Sequence, residues 1–503
     1  MLEMGGTAAD AAVAAAFAIA VVEPSANAIG GRNQILIRLP DGSIRGIDGT
    51  TQVPAGYDAD NPPESADGYG AVGIPGVVAG LIRLHEEHGS LPLTDVLAPA
   101  IDYAERGFRL LPAEVARQSG AVNTALAFEG TRGVFFPHGK PMEVGDLLVQ
   151  HDLAETLRAI AGEGHDGFYR GAVAEQIDAD MEANGGLVTL ADLAAYQAMD
   201  ATIVRGSYRG FDLVGMNVPA AGVVTIQGLH ILENFEREGM DSEEWAAIIG
   251  QAMSLASPEL FAMGTDSAAE RATSKAWAAE VATRVRVPSP ASAPSDEVLP
   301  EIPSNLPPTF GSTTHLSAGD AAGMFVSLTQ TVGTYLGAKV VTPGTGVLYA
   351  NTMGPYLSGR RAAGTRARSF ISPLMVLKDG NPYLVLGGAG GGRIVSAVAQ
   401  IVSRVVDDGM ELPEALAAPR VHLDLGGTDI DMETSRGIGW GEDQLDDVRA
   451  LGLGVSGTER TGAFGRVHGI QIDPETGTML GAADPDWEGS ARGPRQTSPT
   501  RPR

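Results

Sequence analysis

Cysteine is absent from the 503 residues. That excludes disulfides, iron–sulfur clusters, cysteine-type zinc sites and a thiol nucleophile. Basic residues are scarce: 35 Lys and Arg stand against 62 Asp and Glu, for a net charge of −27. Such a surface disfavours nucleic acid and anionic membrane as partners, because phosphate binding needs a basic face. Long apolar runs are missing too. The uncharged stretch 11–22 is too short to span a bilayer, and no basic leader region precedes it. As given, the chain is expected to be cytoplasmic; a periplasmic or secreted location follows if its start is incomplete. No Gly-x-Ser-x-Gly elbow of a serine hydrolase is found. The two histidines of His85-Glu-Glu-His88 are three apart, where the zinc helix motif needs four, so they read as a solvated helix face.

Hydrophobic content of 44% with 19% charged residues suits a globular protein with a sizeable core. Three strand–turn–strand patterns recur far apart. Residues 34–39 and 43–48 flank Pro40-Asp41-Gly42, 374–377 and 382–386 flank Lys378-Asp379-Gly380, and 469–472 and 478–481 flank a Pro-Glu-Thr-Gly turn. Hairpins at these spacings favour antiparallel sheets. Helices are expected between them, with Thr7 and Asp10 forming a capping box at the first. Further helices are expected over 75–88, 94–106, 172–184, 224–238, 242–256, 267–284, 396–408 and 442–451, many closed by a glycine. The fold class expected is α+β. Residues 287–308 hold seven prolines and are expected to be mobile, as is the tail from 493 to 503.

Directly after the proline-rich segment comes Gly311-Ser-Thr-Thr-His-Leu-Ser317, then the β-rich run from Gly323 to Thr331. An internal threonine hydroxyl is a poor nucleophile, whereas an N-terminal threonine carries its own base, an α-amino group titrating near ~8. A cut between Ser312 and Thr313 would create that terminus, and loose chain before it would let the new end swing free. The plainer reading is a strand beginning after a linker. Gly387-Gly-Ala-Gly-Gly-Gly-Arg393 follows a strand and precedes a helix. Its N–H groups suit an anion, a developing oxyanion or simply a tight turn. No Gly-Lys-Ser/Thr follows it.

Taken together these stretches resemble the γ-glutamyltranspeptidase family of N-terminal nucleophile hydrolases. The similar segments run in order through the chain: Gly5-Gly-Thr-Ala-Ala-Asp10, Val22-Glu-Pro24, Ile29-Gly-Gly31, Gly73-Ile-Pro-Gly76, Asp192-Leu-Ala-Ala-Tyr196, Ser207-Tyr-Arg-Gly210, Thr313-Thr-His-x-Ser317, Pro343-Gly-Thr-Gly346, Ala418-Pro-Arg420 and Ala482-Ala-Asp-Pro485. The resemblance implies a four-layer αββα sandwich. It also implies autocleavage into a large subunit, 1–312, and a small subunit, 313–503, that form one intertwined fold. A strand and short helix would stand ahead of Gly5-Gly6. Thr313 would be the nucleophile, Thr331 the threonine bonded to it, and Gly390 with Gly391 the oxyanion pair. No metal or organic cofactor is implied.

The family's clamp on the glutamyl head group is altered. Its arginine in an Asp-Gly-Arg segment is Thr50 here, and its serine pair reads Ser369-Phe370. The asparagine, glutamine and aspartate that hold the α-amino group read Gly333, Thr352 and Pro355. Arg32, Arg360, Arg366 and Arg368 are candidates for a replacement cation. The expectation is a self-processing amidohydrolase or acyltransferase for a small amide other than a standard γ-glutamyl compound. A true γ-glutamyltransferase or glutathione hydrolase with an altered clamp is the first alternative, and an unprocessed binding protein the second. The expected partners are the small-molecule amide and the two pieces of the chain; a homo-oligomer is left open.

Overall fold

The computed structural model describes residues 1–256, 269–270, 273–286, 312–356, 362–424, 427, 429–435, 437–460 and 462–494. The expected mobile segment 287–308, Gly311 and the tail from 495 lie outside the described residues, as do parts of the helix expected over 267–284.

The elements that position the site are named in chain order. Helix α1 (Ala8–Val22) is followed by strands β1 (Arg32–Arg38) and β2 (Ile44–Gly49), then helices α2 (Val77–His88) and α3 (Leu93–Arg106). Strands β3 (Met199–Asp200), β4 (Ile203–Tyr208) and β5 (Phe211–Met216) lead to α4 (Gly222–Leu232) and α5 (Ser242–Ala256). After the gap come β6 (Ser312–Gly319), β7 (Phe325–Gly333), β8 (Leu374–Lys378), β9 (Asn381–Ala389), α6 (Arg393–Asp407), β10 (Arg466–Ile472) and β11 (Met479–Ala482).

Two antiparallel sheets result. One has the order β3-β2-β1-β7-β6 and the other β11-β10-β9-β8-β5-β4. All three expected hairpins form, as β1–β2, β8–β9 and β10–β11. Alternation along each strand decides which layer it feeds. In β1, Ile35 and Ile37 join α1, α2 and α3 in one core, while Leu36 points the other way. In β9, Leu384 and Leu386 join α4, α5 and α6 in a second core. Val385 meets Leu36, Phe325, Met375 and Ile472 in a third, between the sheets. The layers are therefore helix, sheet, sheet, helix: an αββα sandwich.

The helix ends follow their local chemistry. Thr7 accepts from the Asp10 N–H, and the Asp10 carboxylate accepts from the Thr7 N–H at 2.8 Å, closing the expected capping box. Asp10 also takes the N–H groups of Ser90 and Leu91, tying the start of α1 to the loop after α2. Helix α2 begins at Val77 rather than 75, and α4 ends at Leu232 rather than 238. Just past α4 the Asn234 amide turns back onto the His230 carbonyl, ending the helix by a local side-chain bond.

Candidate active site between the sheets

The face between the sheets is apolar at one end and polar at the other. On β1 the inward row reads Leu36, Gln34, Arg32. On β7 it reads Phe325, Ser327, Thr329, Thr331, and on β6 Gly319, Ser317, His315, Thr313. Arg32 pairs across to Thr331, and Thr331 to Thr313, so the three share one row on one face. All three are almost wholly buried.

Thr313 donates its hydroxyl to Thr331 Oγ1 at 3.0 Å. Thr331 Oγ1 in turn donates to the carbonyl oxygen of Ser312 and accepts the Gly333 N–H at 2.9 Å. One donation and two acceptances fill a hydroxyl's capacity. The ladder between β6 and β7 is bulged at this point: Ser312 pairs with Gly333 but Thr313 with Thr331. A bulge re-aims the backbone, here at the Ser312–Thr313 bond. The flanking side chains are held from the opposite face. Ser312 Oγ donates to the Ser25 carbonyl and Thr314 Oγ1 to Glu23. Glu23 is ion-paired to Arg117 at 2.9 Å, and Arg117 to Glu114 at 3.1 Å.

His315 lies one inward position further along. It bonds Thr329 Oγ1 at 2.8 Å and Ser317 Oγ at 3.0 Å, and Ser317 donates to the Val385 carbonyl of the other sheet. Burial drives its pKa well below the ordinary histidine value, with His468 nearby adding to the effect, so the ring is neutral. The register across the sheets follows: Ser317 lies over Val385 and His315 against Gly387. Thr313 stands two residues before His315, and Ala389 two residues after Gly387, ahead of the glycine turn. Gly390 and Gly391 have φ of 129° and 61°, values that favour glycine, and lead through Gly392 into α6. Both are part-exposed at the end of the buried strand.

The altered clamp positions are turned to local duties. Thr50 Oγ1 accepts from Gln34 Nε2 at 2.6 Å, and Thr352 Oγ1 donates to Thr51 Oγ1 at 3.1 Å. Gly333 offers no side chain, and Pro355 faces solvent. Ser369 donates its N–H to the Pro219 carbonyl, and Phe370 packs toward Gly392 and the core behind the second sheet. Among the candidate cations, Arg366 is committed to the Asp48, Thr50 and Gln197 carbonyls and the Tyr196 hydroxyl. Arg32 is wholly buried, and Arg360 lies outside the described residues. His85 bonds the Leu91 carbonyl at 2.8 Å, and no cluster suited to a metal ion is found among the described residues.

The comparisons with known proteins fit this arrangement. The model of the gamma-glutamyltranspeptidase family matches residues 1–493. The chain belongs to the gamma-glutamyltranspeptidase family. It is 34% identical to a glutathione hydrolase proenzyme of Escherichia coli, over 96% of this chain and 87% of that one. It is 33% identical to an acylase ACY 1 proenzyme of a Pseudomonas strain, over 96% and 88%. The solved cephalosporin acylase of Bacillus halodurans superposes with a TM-score of 0.87 at 27% identity, over 98% of this chain and 93% of that one. Membership of the gamma-glutamyltranspeptidase family makes the chain an enzyme of hydrolase and acyltransferase type on the N-terminal nucleophile fold. Among the described residues no helix is long and apolar enough to cross a membrane.

Sequence reasoning singled out Thr313, Thr331 and the glycine turn; the structure joins the first two by a hydrogen bond. It passed over Glu23, Arg117 and Asn351. Glu23 stood in plain view in Val22-Glu-Pro24, where it served only as a landmark of the resemblance. Arg32 was named only as one of four candidate cations; it stands directly after Gly30-Gly31 at the head of a strand.

Proposed function

We propose that the chain cuts itself between Ser312 and Thr313 and then works as an N-terminal threonine amidohydrolase or acyltransferase. The observation that carries this is the chain of hydroxyls from Thr313 through Thr331 to the Ser312 carbonyl. Thr331 polarises the Ser312 carbonyl, and Thr313 Oγ adds to its carbon. The C–N bond breaks as the nitrogen takes a proton, leaving an ester on Thr313. Water then hydrolyses the ester and leaves a free α-amine on Thr313 and a carboxylate on Ser312. The products are a large subunit, 1–312, and a small one, 313–503.

In turnover the new amine takes the hydroxyl proton and Thr313 Oγ adds to the substrate carbonyl. The N–H groups of Gly390 and Gly391 stabilise the oxyanion. The leaving amine departs with the proton, and water or an acceptor amine releases the acyl group. No step calls on a metal or cofactor.

The substrate is a small amide other than a standard γ-glutamyl compound. The engaged hydroxyls of Thr50 and Thr352 and the bare Gly333 support this, as does the likeness to a protein named cephalosporin acylase. The likeness to a protein named glutathione hydrolase proenzyme favours the alternative, a γ-glutamyl enzyme with a rebuilt clamp. Intact mass of the purified protein is the first test. Two fragments meeting at Ser312/Thr313, replaced by one chain in Thr313→Ala, are expected; a single uncut chain in folded wild type would make it an inactive binding protein. Turnover of chromogenic γ-glutamyl anilide at a rate usual for the family would favour the alternative.

A further inference from the structure

The peptide bond between Ser312 and Thr313 lies where the ladder gives it least support. At the bulge Ser312 pairs with Gly333 and Thr313 with Thr331, so Val332 of β7 has no partner on β6. For Thr313 Oγ to add to the Ser312 carbonyl carbon, a small ring must close through Cβ, Cα and N. That requires the backbone on both sides of the bond to be held in one rotation. The loop after α1 supplies the hold. The Ser25 carbonyl takes the Ser312 hydroxyl and the Leu336 N–H, and the Ala26 carbonyl takes the Val332 N–H at 3.3 Å. Asn27 Oδ1 takes Gln330 Nε2 at 2.6 Å, and the Glu23 carboxylate takes the Thr314 hydroxyl. Ser25, Ala26 and Asn27 are wholly buried. One loop thus grips β6 on both sides of Thr313 and β7 across the bulge, its unpaired residue included.

The loop is itself pinned from one place, the helix Pro112–Ala125. Glu114 accepts the Ser25 N–H at 3.2 Å, the Ser25 hydroxyl at 2.6 Å and Gln118 Nε2 at 3.0 Å. Arg117, one turn along the helix, bonds the other Glu114 oxygen at 3.1 Å and reaches Glu23 at 2.9 Å. Arg117 and Glu114 are almost wholly out of water. Burial pulls the Arg117 pKa down, but Glu23 and Glu114 outweigh it and raise the value, so the guanidinium stays charged. The contacts close into a ring that runs Ser312, Ser25, Glu114, Arg117, Glu23, Thr314, and Arg117 is the cation in it. Without that cation two carboxylates would face each other with nothing between them. Desolvation offsets most of the attraction in a buried ion triad, so net stability is a poor reason to keep one. The two arms of this triad end on the residues either side of Thr313.

We propose that Arg117, with Glu23 and Glu114, is a positioning residue for the cut: it braces the loop 23–27 so that Ser312 and Thr314 hold the Ser312–Thr313 bond in the shape that Thr313 Oγ can attack. This rests on the reading that the chain cuts itself before Thr313. The brace touches no reacting atom. It acts through the hydroxyls of Ser312 and Thr314, which leave the strand on the face opposite Thr313.

The test follows intact mass against time after cell-free synthesis of the full chain as wild type, Arg117→Met, Arg117→Lys and Thr314→Val. Urea unfolding of each substitution in an uncut Thr313→Ala background reports the fold separately. Arg117→Met is expected to cut at least about tenfold more slowly than wild type, and Arg117→Lys to recover part of the rate. Thr314→Val removes one arm and keeps the shape. It is expected to slow the cut as well, and to slow it less once residue 117 is already changed to Met, because both act through Glu23. Cutting of Arg117→Met at the wild-type rate overturns the brace. So does a rate that merely tracks lost stability across the set, with no recovery in Arg117→Lys. If Arg117→Met does not fold, Thr314→Val and Ser312→Ala decide. Slower cutting in both with unchanged unfolding supports the brace, and the wild-type rate in either overturns it. A folded wild type that stays uncut would defeat the self-cutting reading, and the brace with it.

Discussion

Asp484 and Arg420 form an ion pair in which both side chains are almost wholly out of water. Burial alone would raise the pKa of Asp484. Arg420 and the N–H groups of Val467 and Asp486 more than offset this and hold the carboxylate below its ordinary value. Arg420 also donates to the Leu416 and Gly465 carbonyls. The two residues come from Ala418-Pro-Arg420 and Ala482-Ala-Asp-Pro485, stretches that marked the family in the sequence but carry no chemistry. They pin β10 to the segment that follows the short helix Leu412–Ala417. Asp484→Ala leaves a guanidinium buried without its partner, so we expect a loss of about 3–5 kcal/mol. Urea unfolding at neutral pH measures it; a change within experimental error would show the pair to be replaceable. Because the depressed carboxylate stabilises the fold above the unfolded pKa of about 4, the deficit should shrink as pH falls through the lower folded value.

The strand pairs were the most legible elements, because Pro-Asp-Gly and Lys-Asp-Gly turns and alternating residues fix a hairpin within a dozen positions. Helix bounds were less so: Asn234 folding back on His230 ends α4 earlier than composition suggests. For the candidate site, the resemblance pointed to Thr313, Thr331 and the glycine turn, and the structure joins Thr313 to Thr331. What no local pattern could give is the stacking of β6 on β9, a contact between residues some seventy positions apart. That stacking depends on Gly387. A Cβ there would stand 2.5 Å from His315 Nδ1, and the ring is already fixed by Thr329 and Ser317. Gly387→Ala should therefore push β6 from β9. We expect a cost of about 1–3 kcal/mol together with slower cutting at Ser312/Thr313, followed by mass against time. Unchanged stability and cutting would mean that the sheets adjust without disturbing the row that holds Thr313.

Each main sheet takes strands from both sides of the Ser312–Thr313 bond: β1 and β2 with β6 and β7, and β4 and β5 with β8 to β11. A cut at that bond would leave both sheets built from both pieces, so the molecule is expected to respond to pH as one body. Five histidines, His88, His230, His315, His422 and His468, have pKa values pushed below the ordinary histidine value, in each case chiefly by burial. They sit on α2, α4, β6, a strand of the outer three-stranded sheet, and β10, so both cores and the inter-sheet face are involved. The sign follows from linkage. Once unfolded, these rings regain a pKa of about 6.5 and bind protons as pH falls through it, while the folded rings stay neutral until lower pH. The unfolded state then holds more protons, and stability drops with falling pH. Carboxylates such as Asp10, whose hydrogen bonds from Thr7, Ser90 and Leu91 outweigh the opposing effect of burial, act only in the lower window near and below about pH 4. We therefore expect the free energy of unfolding to be level from about pH 8 to 7 and to decline between about pH 6.5 and 5, with proton uptake on unfolding. Urea titrations across that range measure it. A profile flat down to about pH 5 would mean that these rings carry their protons into the fold, and would remove the basis for treating His315 as a neutral tie between the sheets.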